Sequence, residues 1–121
     1  MTGLLTLGFA SVAFAHHSAV AKYEADRSIE ITGTIVEFRW RNPHCFVYID
    51  VVDGPFKAQT YSVELSSPGV LTESGWTRDL LRPGDRVAIE VHPSRTGAPA
   101  GLCRDCRLTI NGKVAKTKLM Q

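Results

Sequence analysis

The residues best suited to chemistry in this chain are four histidines, and their placement is uneven. His16 and His17 follow Ala13-Phe14-Ala15, which fits the small-x-small rule of signal peptidase. Cleavage after Ala15 puts His16 at a free α-amine. An N-terminal histidine can chelate copper through its amine and ring nitrogen, in a brace, when another histidine completes the set. If Ala15 is retained instead, Ala-His-His places His17 third, an arrangement that holds Cu(II) in a square plane through backbone nitrogens. His44 ends the polar corner Arg41-Asn42-Pro43-His44, and His92 precedes a loop rich in Pro, Gly and Ala. A blander account competes at each position. Chain termini are commonly loose and solvated. A histidine beside Pro43 can simply satisfy turn backbone groups, and His92 taken alone reads as a surface residue.

Three cysteines leave one odd thiol in any disulfide scheme. Cys103-x-x-Cys106 has metal or redox spacing, but no second C-x-x-C and no βαβ pattern accompany it. On an uninterrupted strand, positions three apart face opposite sides, so this pair closes only if a bend intervenes. A bridge between Cys45 and either of them is the simpler option in an oxidising compartment. Free buried thiols and a metal–thiolate site remain open.

A third set could bind without reacting. Trp40 precedes the polar corner and Arg41 opens it, Phe46 and Tyr48 follow it at strand spacing, and Arg95 lies just beyond His92. Phe46 and Tyr48 would form an aromatic platform on the outer side of a strand. No G-x-S-x-G occurs, and Ser66-Ser67 and Ser62-x-Glu64 have no partner that marks a nucleophile. Asp50, Asp53 and Glu64 are scattered and read as solvated charges. No catalytic set is complete, so no enzyme is predicted; the lesser alternatives are a thiol oxidoreductase on Cys103 and Cys106 and a copper oxidase on the N-terminal brace. With 14 basic against 12 acidic residues and a net charge of +2, the chain has no basic footprint for nucleic acid. A metal ion, a peptide, a sugar or an exported protein partner suits it better.

The elements that must position these residues are β-strands. Residues 4–15 form an uncharged apolar run too short to span a membrane. They read as a signal peptide over 1–15, and the lack of a basic n-region suggests a true start upstream of Met1. Residues 16–28 form a polar, flexible N-terminal arm, with a short helix or an extended segment both open. Strand one, over 29–40, puts Ile29, Ile31 and Ile35 on one face and then switches parity to Val36, Phe38 and Trp40, a bulge signature near Gly33. Strand two (45–52) faces Val47, Ile49 and Val51 one way, and Asp53-Gly54 is a hairpin turn. Strand three (58–65) buries Tyr61, Val63 and Leu65 and exposes Thr60, Ser62 and Glu64. Ser67 caps a short helix with Pro68 at its first position, and Gly75 ends it. Trp76 and Leu80-Leu81 plug the barrel end. Strand four (86–92) buries Val87, Ile89 and Val91, and strand five runs over 102–110. Asn111-Gly112 then turns into a basic tail. Three strands, a helix and two strands are the order of a five-stranded, mainly β Greek-key barrel of the OB-fold type, spanning 29–121. In that fold the loops carrying His44 and His92 flank one binding face.

Several segments resemble DUF6152, a family of small exported bacterial proteins of unknown function. They are His16-His17-Ser18 at the signal end, Gly33-Thr34-Ile35 through Asn42-Pro43-His44, Glu64-Leu65-Ser66-Ser67-Pro68, and Gly75-Trp76-Thr77-Arg78 leading to Pro83-Gly84-Asp85. The resemblance implies export and a small β domain and brings no activity with it. Cys45, Cys103 and Cys106 depart from the family pattern. The expectation is a periplasmic or secreted, non-enzymatic binding module without a transmembrane segment in its mature form. Its most concrete ligand is a transition metal, copper before zinc, at His16, His17, His44 and His92.

Overall fold

The computed structural model of the chain describes residues 21–115. The expected signal segment 1–15 and the candidate ligands His16 and His17 lie outside the described residues. The barrel is built around β1 (Ile29–Arg39), which serves two neighbours. Its first half pairs antiparallel with β4 (Arg86–Pro93) and its second half with β2 (Phe46–Val51). Gly33 and Thr34 belong to both ladders. At Gly33 an added Cβ would collide with the Asp50 carbonyl and come within 2.7 Å of Ile49 Cγ2, so the strand can coil here only as glycine. The parity switch lies further on. The register slips between Ile35 and Glu37, and Val36, the extra residue, is 46% exposed rather than facing the core. Beyond the bulge Phe38 and Trp40 pack against the core.

With β3 (Thr60–Glu64) and β5 (Ala100–Leu102), these strands close in the order β1-β2-β3-β5-β4-β1, with β3 and β5 parallel. That is the OB-fold closure, and a short helix, α1 (Pro68–Glu73), lies between β3 and β4. The Ser67 side chain accepts from the Val70 amide at 3.4 Å, and Gly75 takes φ 89°. The turn delivers Trp76 and Leu81 into the core as the barrel plug.

The expected fifth strand over 102–110 is not continuous. It breaks into β5 and β6 (Leu108–Ile110), both paired to β4, and β6 turns through Asn111-Gly112 into β7 (Lys113–Val114). The interruption is a disulfide between Cys103 and Cys106, whose Cα atoms lie 5.1 Å apart. The corner it closes puts Asp105 at φ 51° and turns both sulfurs inward, which a straight strand could not do. Cys45 is therefore not bridged and stays a free, buried thiol. No helix among the described residues is long and apolar enough to cross a membrane.

Candidate functional site

Alternation along β2 and β3 decides which side chains leave the core. Cys45, Val47, Ile49 and Val51 point inward, so His44, Phe46, Tyr48 and Asp50 share the outer face. On β3 the outward set is Thr60, Ser62 and Glu64. Phe46 stands opposite Glu64, which brings the residue two before Phe46, His44, beside the same carboxylate.

Glu64 corrects the sequence reading. It sits at an outward position as expected, yet it is only 8% exposed. Tyr23 and His44 cover it. The Tyr23 hydroxyl donates to Oε2 at 2.7 Å, and His44 Nδ1 lies 2.8 Å from Oε1. Burial, reinforced by the Glu64 bond, pushes the Tyr23 hydroxyl far above the usual tyrosine range, so it stays protonated and remains the donor. An ionised Glu64 has only lone pairs to offer, so His44 Nδ1 must carry the proton of that contact. A neutral ring then presents a lone pair at Nε2. The side chain is 49% exposed, and this is how a carboxylate prepares a histidine for ligation.

Tyr23 reaches Glu64 because the arm expected to be flexible is docked from Lys22 onward. Tyr23 bridges to Ser94, the Glu24 amide donates to the Pro93 carbonyl at 2.9 Å, and the Arg95 amide donates to the Lys22 carbonyl at 2.9 Å. His92 serves the same strap: its Nδ1 lies 2.8 Å from the Arg27 carbonyl. His44 and His92 do not meet. Leu102 pairs with both Glu64 and His92, so His92 stands two strands from the carboxylate, roughly 9–10 Å away.

The proposed ligand face divides. Phe46 and Tyr48 stay outside the core with rings 21° apart in orientation and centroids 6.2 Å apart. Trp40 turns the other way, edge-on to Phe38 at 5.6 Å, and Phe38 in turn meets the buried Trp76. Arg39, which the sequence reading passed over, lies 4.9 Å over the Tyr48 ring, donates to its hydroxyl and is held by both Glu37 oxygens at 3.1 Å. Arg41 and Arg95 are exposed on the two flanking loops. Clefts of about 260 and 250 Å³ open elsewhere, at Thr34 and Ala88 and at Phe56 and Ala98, and neither is lined by the candidate metal or ligand residues.

Burial raises the Cys45 thiol above its ordinary range, which suppresses the nucleophilic thiolate. Among the described residues, no three His, Cys, Asp or Glu side chains are grouped to hold a metal ion. Tyr23 and Glu64 were missed from sequence, although a signal existed. Counting back from the β2–β3 hairpin places His44 beside Glu64, while nothing local announces Tyr23 as their third member.

Comparison with known proteins agrees with the resemblance. The model described as a family of unknown function, DUF6152, matches residues 5–104 of the 121, and the chain belongs to that family. No curated protein matches. Among solved structures, the crystal structure of Rim1, a mitochondrial single-stranded DNA binding protein of S. cerevisiae, is similar at 18% identity and a TM-score of 0.44, covering 72% of this chain and 97% of that one.

Proposed function

We propose that this member of DUF6152 is an exported, non-enzymatic binding module, periplasmic or secreted, that holds a transition metal, copper before zinc. The observation that carries this is the Tyr23–Glu64–His44 node. Glu64 fixes His44 with its Nε2 open, and Tyr23 ties the N-terminal arm to the same carboxylate. His17 precedes Tyr23 by six residues in the sequence, a span of at most about 20 Å, and the reading takes His16 and His17 as the further ligands beside His44. Imidazole nitrogens suit both copper and zinc, and a free amine at His16 favours copper. His92, engaged by the strap, supports the site by holding the arm. The outer face also carries Glu37, Asp50 and Glu64, with Arg39 already held by Glu37, which suits a polyanion poorly.

The test is Cu(II) titration of the chain beginning at His16. Replacing His44 by Ala, or His16 and His17 together by Ala, should weaken binding at least tenfold. Equal affinity in the double variant would sink the metal reading.

A second reading has its own support. Phe46 and Tyr48 lie outside the core on a half-open face, as a contact surface for an exported protein or peptide would. A partner of that kind would be recovered by the native chain and lost with both Phe46→Ala and Tyr48→Ala. Recovery indifferent to both would dismiss it.

A further inference from the structure

We propose that the edge of β1 at Glu30 is a peptide site: it adds an extended segment as one more strand, with a basic residue opposite Glu30 and an apolar residue beside it. β1 changes partners along its length, and the change leaves a gap. β2 pairs with it only from Gly33 onward, and the Val52 amide makes a further contact by donating to the Thr32 carbonyl at 3.0 Å. The chain then turns away through Asp53-Gly54. On the other edge Glu30 stands opposite Glu90 of β4, but the Glu90 amide donates to the Arg107 carbonyl at 3.0 Å, away from β1. Glu30 and Glu90 are therefore a non-hydrogen-bonded pair. The Glu30 amide and carbonyl point the same way as the Thr32 carbonyl two residues on, toward the side that β2 has left. One donor and one acceptor at strand spacing are what a sheet edge offers an extended peptide.

That edge opens onto the cleft of about 250 Å³, whose apolar lining comes from Ile29, Ile31, Phe56, Pro93 and Ala98. Its walls are fixed before anything binds. Phe56 rests edge-on against the buried Tyr61 with centroids 5.1 Å apart, and the Tyr61 hydroxyl donates to the Ala100 carbonyl at 2.8 Å. The Ser94 amide donates to the same carbonyl at 2.9 Å and pins the loop that carries Ala98. The volume falls below the roughly 300–1,000 Å³ of sites for drug-sized ligands and suits one apolar side chain. Alternation then sets the order of the peptide. The residue opposite Glu30 keeps its side chain on the Glu30 face, and its neighbours turn to the Ile29 and Ile31 face, where the cleft lies. Charge selects the central residue. Glu30 and Glu90 are directly opposed carboxylates that repel, Asp53 also lines the cleft, and the lining cation Arg27 is already paired with Glu24 at 3.0 Å. A Lys or Arg opposite Glu30 relieves that repulsion, and an acidic residue there worsens it. The site lies apart from the Tyr23–Glu64–His44 node and does not depend on the metal reading.

The experiment titrates the full, isotopically labelled chain with capped tripeptides and follows its backbone amides by NMR. The probes are acetyl-Val-Lys-Val-amide, its Val-Glu-Val counterpart, and the first peptide methylated on the lysine backbone nitrogen. The basic peptide should shift the amides of Glu30, Gly54 and Gly97 and slow hydrogen exchange at Glu30. The acidic peptide should bind about tenfold more weakly, because an attractive cross-strand pair becomes a repulsive one. Backbone methylation removes the donor aimed at the Glu30 carbonyl and should also weaken binding about tenfold. Ala98→Phe fills the cleft and should abolish the shifts. Equal binding of the basic and acidic peptides would overturn the proposal, and so would equal binding of the methylated one, since no strand is then added. Shifts at the same amides that grow with protein concentration in the absence of peptide would assign the edge to a second copy of the chain and overturn it as well. No response to any probe would do the same. The peptide comparisons use the native chain and need no variant to fold.

Discussion

Alkaline titration tests the Tyr23–Glu64 contact without touching a candidate metal ligand. In the unfolded chain a tyrosine ionises near pH 10. In the folded chain burial and the Glu64 carboxylate hold the Tyr23 proton well above that. A folded-state value above the unfolded one means the stabilisation is complete below about pH 10 and is lost as pH rises further. The limiting slope is about 1.4 kcal/mol per pH unit for one fully shifted group. The ring is 7% exposed, so some solvent screening applies, and about 1 kcal/mol should be gone by pH 11. Tyr23→Phe keeps the ring and removes the hydroxyl. At pH 7 it should cost about 1.5–3 kcal/mol, the range for a hydrogen bond to a charged acceptor. Urea unfolding followed by the buried Trp76 would show a midpoint lower by about 1 M. At pH 11 the gap between native and variant should narrow by about 1 kcal/mol, because only the native chain still has that proton to lose. A gap unchanged between pH 7 and 11, or no gap at pH 7, would show that the hydroxyl does not hold the carboxylate.

Other perturbations probe the frame around the site. Gly33→Ala should cost about 3 kcal/mol or more in urea unfolding, since its Cβ meets backbone of β2 rather than a side chain that can turn aside; a cost below 1 kcal/mol would contradict the double pairing of β1. Replacing Cys103 and Cys106 together by Ser should cost about 2 kcal/mol, the chain-entropy value for so short a loop, and should leave β6 bound to β4. Cys45 should resist a thiol reagent in the native chain and react at once in urea; fast native modification would argue against its burial.

The barrel was legible because its signals are local. Alternation in β2, β3 and β4, the Ser67-Pro68 cap and the Asn111-Gly112 turn each act within a few residues, and the helix between three strands and two selected the topology. The break at Cys103 and Cys106 was harder. Leu102, Cys106, Leu108 and Ile110 share one parity in the sequence, which conceals the corner: Gly101 and Cys103 are the buried positions before it and Leu108 after it. The site was legible only in part. His44 stood out by type, but Glu64 looked solvated because strand parity says which way a residue points and nothing about what lies over it. What covers Glu64 is Tyr23, 41 residues away in sequence, reached through the docked strap. Trp40 misled for the opposite reason, since the bulge at Val36 turns it toward Phe38.

The double pairing of β1 also sets the order in which the molecule can assemble. Its second half joins β2 across a short turn, but its first half finds its partner only in β4, as in the pairing of Ile31 with Ile89. Until β4 and β5 have both been made, half of β1 and the free side of β3 are open edges, each able to recruit a neighbouring chain. Such long-range closure slows folding. It also makes folding all-or-none: a fragment ending at the barrel plug would contain three of the five barrel strands and still be unable to close any of its edges.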